Sequence, residues 1–328
     1  MGIEEYVDAK RKKIEDSLYT EVPNEPECIY GMLRDFISRG GKRLRPTIVL
    51  ASAEAAGGND TDALHYALAI ELFHNFTLIH DDVEDSSLLR RGKPTLNSEY
   101  GIPTAVNAGD AMYQAMWATL LSSGLPNEKL VPALVIMMES FSSVVDGQGT
   151  ELYWHRSNYF DVTEAEYLHM ARGKTGALIG LACRLGAYSA QAPEDVQIGL
   201  QKFGETMGIA FQIRDDILNL TAPSSEYNKE LGEDIKSGKR TLIMIKLLSL
   251  LKGAEKEKVL SILQDEQNSA EDISWAISLA KEKGAIDYAA SVSERFISEA
   301  KQHLDVLKDN KKKENFWALA EFAVRGKG

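Results

Sequence analysis

Apolar residues in this chain recur at intervals of three and four almost from end to end, and no segment alternates strictly between turn dipeptides. That period belongs to helices, so the chain is expected to be all-α. The nine prolines fall mostly at the edges of the periodic segments, where the first turn of a helix tolerates them. Leu64, Leu68, Leu72, Asn75 and Ile79, flanked by Ala67, Ile70 and Phe73, predict a helix over 62–80, with Thr61 or Asp60 as its N-cap. Further helices are expected over 104–121, 126–148, 163–185, 193–220, 241–251, 256–263, 273–283, 285–307 and 313–324. Residues 177–187 are apolar on more than one face, which places such a helix inside a large bundle. The charged stretch 224–239 reads as a long mobile loop. Length suggests about two domains. The chain has no repeat, low-complexity tract or Gly/Ser linker, so one large helical bundle over 1–328 is the expectation.

Composition narrows the function classes. Lysine and arginine number 37 against 49 acidic residues, a net charge of −12, which disfavours nucleic-acid binding through a basic surface. Two distant cysteines, Cys28 and Cys183, make neither a disulfide framework nor a zinc site. No apolar leader is visible at the N-terminus, and no uninterrupted apolar run approaches the roughly 18 residues of a membrane span. A cytoplasmic protein without a transmembrane segment is expected.

Two acidic clusters carry the chemistry. In Asp81-Asp82-Val83-Glu84-Asp85, positions 81 and 85 share one helix face, about 5–6 Å apart at Cβ. Like charges at that spacing repel, so helix stability gives no reason for the cluster, whereas cation binding does. Mg²⁺ takes oxygen ligands, typically one or two carboxylates completed by substrate phosphates and water. The spacing recurs in Asp215-Asp216-Ile217-Leu218-Asn219, after the apolar run Ala210-Phe211-Gln212-Ile213. Burying an acidic pair in such company is unfavourable unless it is partnered or metal-bound. The matched clusters suggest two helices facing each other across a cavity.

Basic motifs accompany them: Gly40-Gly41-Lys42-Arg43-Leu44-Arg45-Pro46 before a helix, Arg90-Arg91-Gly92-Lys93-Pro94-Thr95 after the first cluster, Lys174-Thr175-Gly176 interrupting an apolar helix, and Lys236 to Thr241 after the second cluster. Each alone is an ordinary solvated patch. Beside acidic clusters in an acidic chain they make a diphosphate site, with carboxylate, Mg²⁺ and phosphate joined by cationic donors.

These motifs, together with Gly147-Gln148-Gly149 and Phe211 to Asp216, resemble in order and over nearly the whole chain the trans-isoprenyl diphosphate synthases. The resemblance implies a homodimeric all-α enzyme with a deep cavity. It also implies about three Mg²⁺ per active site, replaceable by Mn²⁺, held by Asp81 and Asp85 with Asp82 in support, and by Asp215 with Asp216. Lys42, Arg45, His74 and Arg91 match contacts to isopentenyl diphosphate. Arg90, Lys174, Thr175, Gln212, Lys229 and Lys239 match contacts to the allylic diphosphate. The implied reaction ionises the allylic diphosphate, adds the isopentenyl double bond to the cation and loses a proton.

Phe76 and Thr77 stand about one turn before Asp81, and the resemblance makes the aromatic a stop on chain growth. The first cluster contains no two-residue insertion, and Asp-Asp-Ile-Leu-Asn is similar to the second cluster of geranylgeranyl synthases. Geranylgeranyl diphosphate is the expected product, with farnesyl diphosphate as the alternative. The second cluster ends in Asn219 where the family often has Asp, which puts a direct bond from Asn219 to metal in doubt. His80 reads as structural. A terpene cyclase is disfavoured because Asn219 and Pro223 break its second motif; a non-catalytic subunit, because both clusters are intact; a plain helical interaction protein, because it leaves the clusters unexplained.

Overall fold

The computed structural model describes residues 2–222, 231–265 and 267–325, the side chain of residue 325 excepted. The described chain is all-α, as its periodicity predicts. The only strands among the described residues are a two-residue antiparallel pair, β1 Leu89–Arg90 and β2 Lys93–Pro94. The backbone gathers into two compact units. The first comprises Met1–Met138, Leu181–Gln201 and Leu304–Ala323; the second comprises Glu139–Gly180, Lys202–His303 and Val324–Gly328.

The first unit opens with α1 (Ile3–Glu21), α2 (Glu27–Ser38), α3 (Leu44–Ala55) and α4 (Asp60–Glu84). After the strand pair come α5 (Leu96–Tyr100) and α6 (Ile102–Leu121). Helix α4 is the spine: it packs on α3 and α6, and its Ala63, Tyr66, Ala67, Ile70, Leu72 and Phe73 are all buried. Each fully buried Leu or Ile of this core stabilises the fold by roughly 2 kcal/mol. The α4 N-cap is Asn59, not Thr61 or Asp60; its side chain accepts hydrogen bonds from the Thr61 and Asp62 amides. Asparagine does here what the expected caps would have done one or two residues later.

Helix α7 (Asn127–Arg156) is longer than expected and belongs to both units. By length and composition it would suffice to cross a bilayer, and 44% of its most apolar window is buried inside the chain. The second unit continues with α8 (Glu164–Ala171), a π-helical turn over Arg172–Gly176, and α9 (Ala177–Ser189), which runs back into the first unit. Then follow α10 (Glu194–Thr221), α11 (Glu233–Lys236), α12 (Leu242–Leu250), α13 (Gly253–Gln264), α14 (Ala270–Glu282) and α15 (Ala285–His303). A 3-10 turn over Leu304–Val306 leads to α16 (Asn310–Arg325). The expected loop over 224–239 falls partly outside the described residues. Its described part differs from expectation: Glu233–Lys236 forms a helical turn, and Gly232 donates to the Asn219 carbonyl at 2.9 Å.

Candidate functional site

The first acidic cluster occupies the C-terminal end of α4, where the helix dipole is negative and no basic residue stands in the last turn. Repulsion between one-turn neighbours and the dipole therefore add, which deepens the deficit a cation would relieve. The cluster does not act as a block. Asp82 is 1% exposed and accepts from Arg90 Nε at 2.7 Å, with Nη2 at 2.6 Å. Burial raises its carboxyl above the usual range, against the pull of that arginine. Its other oxygen, Oδ2, is buried without a hydrogen-bond partner. Asp81 is half-buried and Asp85 exposed, so these two are the accessible pair. Arg90, matched to the allylic diphosphate, is the buried carboxylate's partner from β1.

A cationic wall stands in the same unit. Arg43, the N-cap of α3, has φ +45° and turns its guanidinium inward, to Glu71 Oε1 at 2.7 Å and the Ile37 carbonyl at 2.6 Å. Its neighbours remain for other work: Lys42 is exposed, and Arg45 donates to His74 Nε2 at 3.2 Å. Arg45 Nε is buried with no hydrogen-bond partner, an orphan donor that an anion would satisfy. Arg91, at φ +54°, donates to the Gly40 carbonyl. A Cβ on Gly41 would lie 2.8 Å from Arg91 Nη2, and Gly41 has φ +142°, so glycine is required there. Burial, then Arg45, Arg91, Arg90 and Arg43, push His74 well below the ordinary imidazole range. His74 is thus a neutral ring in a strongly positive field, a surface suited to a polyanion.

Phe76 lies in an aromatic file shared by α4 and α6. Its ring centroid is 5.0 Å from Tyr113, 5.4 Å from Phe73 and 4.7 Å from His80, and Tyr113 is 5.8 Å from Trp117. Thr77 spends its hydroxyl on the His74 carbonyl, 2.9 Å away. His80 packs where α6 has Gly109, whose absent Cβ would fall 2.2 Å from His80 Nε2.

In the second unit, Asp215 is half-buried and Asp216 buried on α10. Tyr167 donates its hydroxyl to Asp216 Oδ2 at 2.6 Å, and Gln212 donates Nε2 to Oδ1 at 2.9 Å. Thr175 donates to Gln212 Oε1 at 2.6 Å. Burial, then Asp234, raise the Asp216 carboxyl well above its usual range, while the Tyr167 and Gln212 bonds oppose that shift. Asn219 is fully buried and its Oδ1 accepts from the Asp234 amide at 3.1 Å. Its carbonyl oxygen holds the chain segment that returns toward Lys239.

The π-turn explains the Lys-Thr-Gly interruption. A Cβ on Gly147 would lie 2.2 Å from the Lys174 amide nitrogen, one on Gly173 2.7 Å from the Ser143 carbonyl, and one on Gly208 2.5 Å from Gly176 Cα. Bare backbones thus approach each other around a π-bulge, the local rewinding that re-aims side chains at functional sites. Lys174 pairs with Glu151. Burial works to raise the Glu151 carboxyl, but Lys174 and Lys239 outweigh it and hold the group below its usual range. In the last motif Arg240 is the anchor: it donates to the carbonyls of Tyr159 at 3.0 Å and Trp154 at 2.9 Å and lies 4.0 Å over Phe160. Lys239 stands 3.8 Å from Asp234. Lys229 lies outside the described residues.

Among the described residues no three His, Cys, Asp or Glu side chains converge as a preformed metal cage. The donor set consists of carboxylates in two separate clusters, which fits a hard divalent ion that completes its shell with substrate oxygens and water. Arg43, Glu71, Tyr113, Glu151, Tyr167 and Asp234 escaped the sequence reading. Motif membership marked only Arg43, and the others gave no signal before folding brought their partners together.

An all-α chain with acidic clusters on helix ends and cations beside them defines a diphosphate-handling transferase. Residues 26–280 match the polyprenyl synthetase family, and the chain belongs to it. It is 36% identical over 313 residues to a geranylgeranyl pyrophosphate synthase of Geoglobus acetivorans, covering 95% of this chain and 94% of that protein. It is 33% identical over 339 residues to a geranylfarnesyl diphosphate synthase of Natronomonas pharaonis, covering 98% and 97%. The crystal structure of a geranylgeranyl pyrophosphate synthetase from Pyrococcus horikoshii superposes with a TM-score of 0.91 at 34% identity, covering 99% of each chain. The protein is accordingly a prenyltransferase of isoprenoid biosynthesis that elongates prenyl chains. The family handles diphosphate through a divalent metal.

Proposed function

We propose that the protein condenses isopentenyl diphosphate head to tail with dimethylallyl, geranyl and farnesyl diphosphates, in a Mg²⁺-dependent reaction yielding all-trans geranylgeranyl diphosphate. The observation that carries this reading is the cationic wall of Arg45, Arg91 and neutral His74 in the unit that also bears Asp81 and Asp85. A cyclase of a single diphosphate has no use for a second anion site.

In this proposal Lys42, Arg45, Arg91 and His74 anchor isopentenyl diphosphate. Lys174, Thr175, Gln212, Lys239, Arg90 and Lys229 receive the allylic diphosphate. Asp81, Asp85 and Asp215 are the metal-facing carboxylates, and Asp82 and Asp216 support them. When bound, Mg²⁺ supplies positive charge to the departing diphosphate. Lys174 and Lys239 stabilise the same developing charge as the allylic C–O bond breaks with its electron pair on oxygen. The isopentenyl double bond, held close through its own diphosphate, attacks the allylic C1. The proton lost from the isopentenyl C2 passes to the released diphosphate and leaves a new allylic double bond. Phe76, backed by Tyr113, limits the growing tail.

We assign a cytoplasmic, single-domain homodimer on related grounds. Val131, Val135, Met138 and Val145 form an exposed apolar stripe along α7, and Ile102 and Val106 stand exposed on α6; apolar exposure of this kind suits a second copy of the chain. Sedimentation should return twice the monomer mass.

Incubation with Mg²⁺, isopentenyl diphosphate and each primer should release diphosphate and give a C20 alcohol after dephosphorylation. A C15 product would favour the farnesyl alternative and C25 the chemistry named for the Natronomonas relative. No elongation from any primer would sink the reading. Asp81→Ala should abolish turnover while the helical circular dichroism persists; retained turnover would reject its metal role.

A further inference from the structure

Helix α8 is fixed at its start by a reciprocal cap, with Thr163 and Glu166 bonding each other's backbone amides. One turn on, Tyr167 is 1% exposed, so its hydroxyl depends on an internal acceptor, and that acceptor is Asp216 Oδ2 at 2.6 Å. From within the π-turn, Thr175 reaches the same helix face of α10 through Gln212, which occupies Asp216 Oδ1. Tyr167, Asp216, Gln212 and Thr175 thus form a continuous hydrogen-bonded chain. Both Asp216 oxygens are engaged, each by a donor from a different direction, which leaves the carboxylate one rotamer. A buried carboxylate otherwise has three staggered choices, and beside Asp215 and Asp234 repulsion would scatter it among them.

We propose that Tyr167 is a positioning residue for the metal–diphosphate site: its hydroxyl locks the Asp216 carboxylate, and through it the orientation of the second acidic cluster, for a divalent ion bound with diphosphate. The proposal rests on the diphosphate-and-metal reading above. It makes the Thr175 end, which meets substrate, and the Tyr167 end, which does not, two ends of one network. The phenol contacts neither substrate nor metal and acts only through Asp216.

Mn²⁺ with inorganic diphosphate serves as the probe, and free Mn²⁺ is read by electron paramagnetic resonance. Tyr167→Phe keeps every packing atom except the hydroxyl. It should weaken Mn²⁺ binding about 10- to 150-fold, the scale of one hydrogen bond to a charged group, with unchanged circular dichroism and kcat at saturating Mg²⁺ largely retained. In an Asp216→Asn background the same change should alter the affinity less than twofold, because the residue it acts through has gone. Affinity within twofold of wild type in the single variant, or equal weakening in both backgrounds, would overturn the proposal. Should the single variant not fold, the comparison in the Asp216→Asn background decides, since a neutral amide does not need the phenol: unchanged affinity supports the proposal and further weakening overturns it. Failure of the wild-type protein to bind Mn²⁺ with diphosphate would instead reject the underlying site.

Discussion

Asn219 stands four residues after Asp215, where an acid would complete the spacing of Asp81 and Asp85, and the structure gives it a different task. Its side chain is 0% exposed, its Oδ1 receives the Asp234 amide, and its Nδ2 is buried without a partner. Supplying the acid with Asn219→Asp keeps the accepting oxygen but replaces the idle donor with negative charge close to Asp216 and Asp234. Burial and like charge both raise the pKa of such a carboxyl. The loss is bounded, because the group protonates once ionisation becomes the worse option. With about 1.4 kcal/mol per pH unit above the unfolded value of ~3.9, the ceiling is about 5 kcal/mol at pH ~7.5 and about 2 kcal/mol at pH ~5.5. The sign follows from linkage. A carboxyl whose folded pKa is raised binds its proton more tightly when folded, so stability is full below the unfolded pKa and falls as pH rises toward the folded one. Urea denaturation followed by tryptophan fluorescence should therefore show a destabilisation that grows from pH 5.5 to 7.5. Mn²⁺ affinity with diphosphate should not improve. A variant as stable as wild type at both pH values, with tighter metal binding, would show that residue 219 faces the metal and refute the assignment.

Three further outcomes follow from the site. Phe76→Ser should lengthen the product, and because Tyr113 stacks directly behind Phe76, adding Tyr113→Ala should lengthen it again; chromatography of dephosphorylated products that finds no change in chain length would remove the gate. Glu71→Leu removes the nearer of the two carboxylates that pair with the buried Arg43 guanidinium, leaving Glu15 at 3.5 Å, and should destabilise the fold by up to about 3–5 kcal/mol in chemical denaturation. His74 titrates well below its usual range, so the wild-type protein should lose stability as pH falls below the unfolded value of ~6.5 toward the folded pKa. His74→Gln should flatten that part of the curve, and a matching loss in both proteins would reject the buried neutral ring.

The fold class was legible because one period runs through the whole sequence, and nearly every expected helix exists with its ends shifted by a few residues. At the start of α4 a specific side chain, Asn59, set the shift. The stop over 172–176 was visible only as an interruption. Its nature as a π-turn depends on Gly147 and Gly208, which lie distant in sequence from the bulge and have no local signature. The acidic clusters were legible as anomalies: Asp81 and Asp85 put like charges one turn apart at a helix C-terminus, and Asp215-Asp216 interrupts an apolar helix. Their supporting partners were not. Tyr167 sits in an ordinary amphipathic helix, and Glu71 looks like any polar interruption of an apolar stripe.

A regularity among the motifs explains why so many charged residues come in adjacent pairs. Adjacent side chains leave the backbone in divergent directions, about 100° apart where the pair lies on a helix as at Asp81-Asp82 and Asp215-Asp216, so two neighbouring charges do not both face one ligand. In several of the motifs one member turns inward and is held there: Arg43 by Glu71, Asp82 by Arg90, and Arg240 by the carbonyls of Tyr159 and Trp154. Asp216 is likewise held by Tyr167 and Gln212. The adjacent member is exposed at Lys42 and half-buried at Asp81, Lys239 and Asp215. A buried, partnered charge is a poor source of net stability, because desolvation offsets most of the attraction. It is, however, stiff: moving it would strand a charge in the interior. The inward member therefore fixes the backbone from which its neighbour projects, and a diphosphate site needs that fixity, since its donors must meet charge that develops on oxygen as the bond breaks. Conservative exchange at an inward position should for this reason damage the fold, and exchange at its neighbour should damage only binding and turnover.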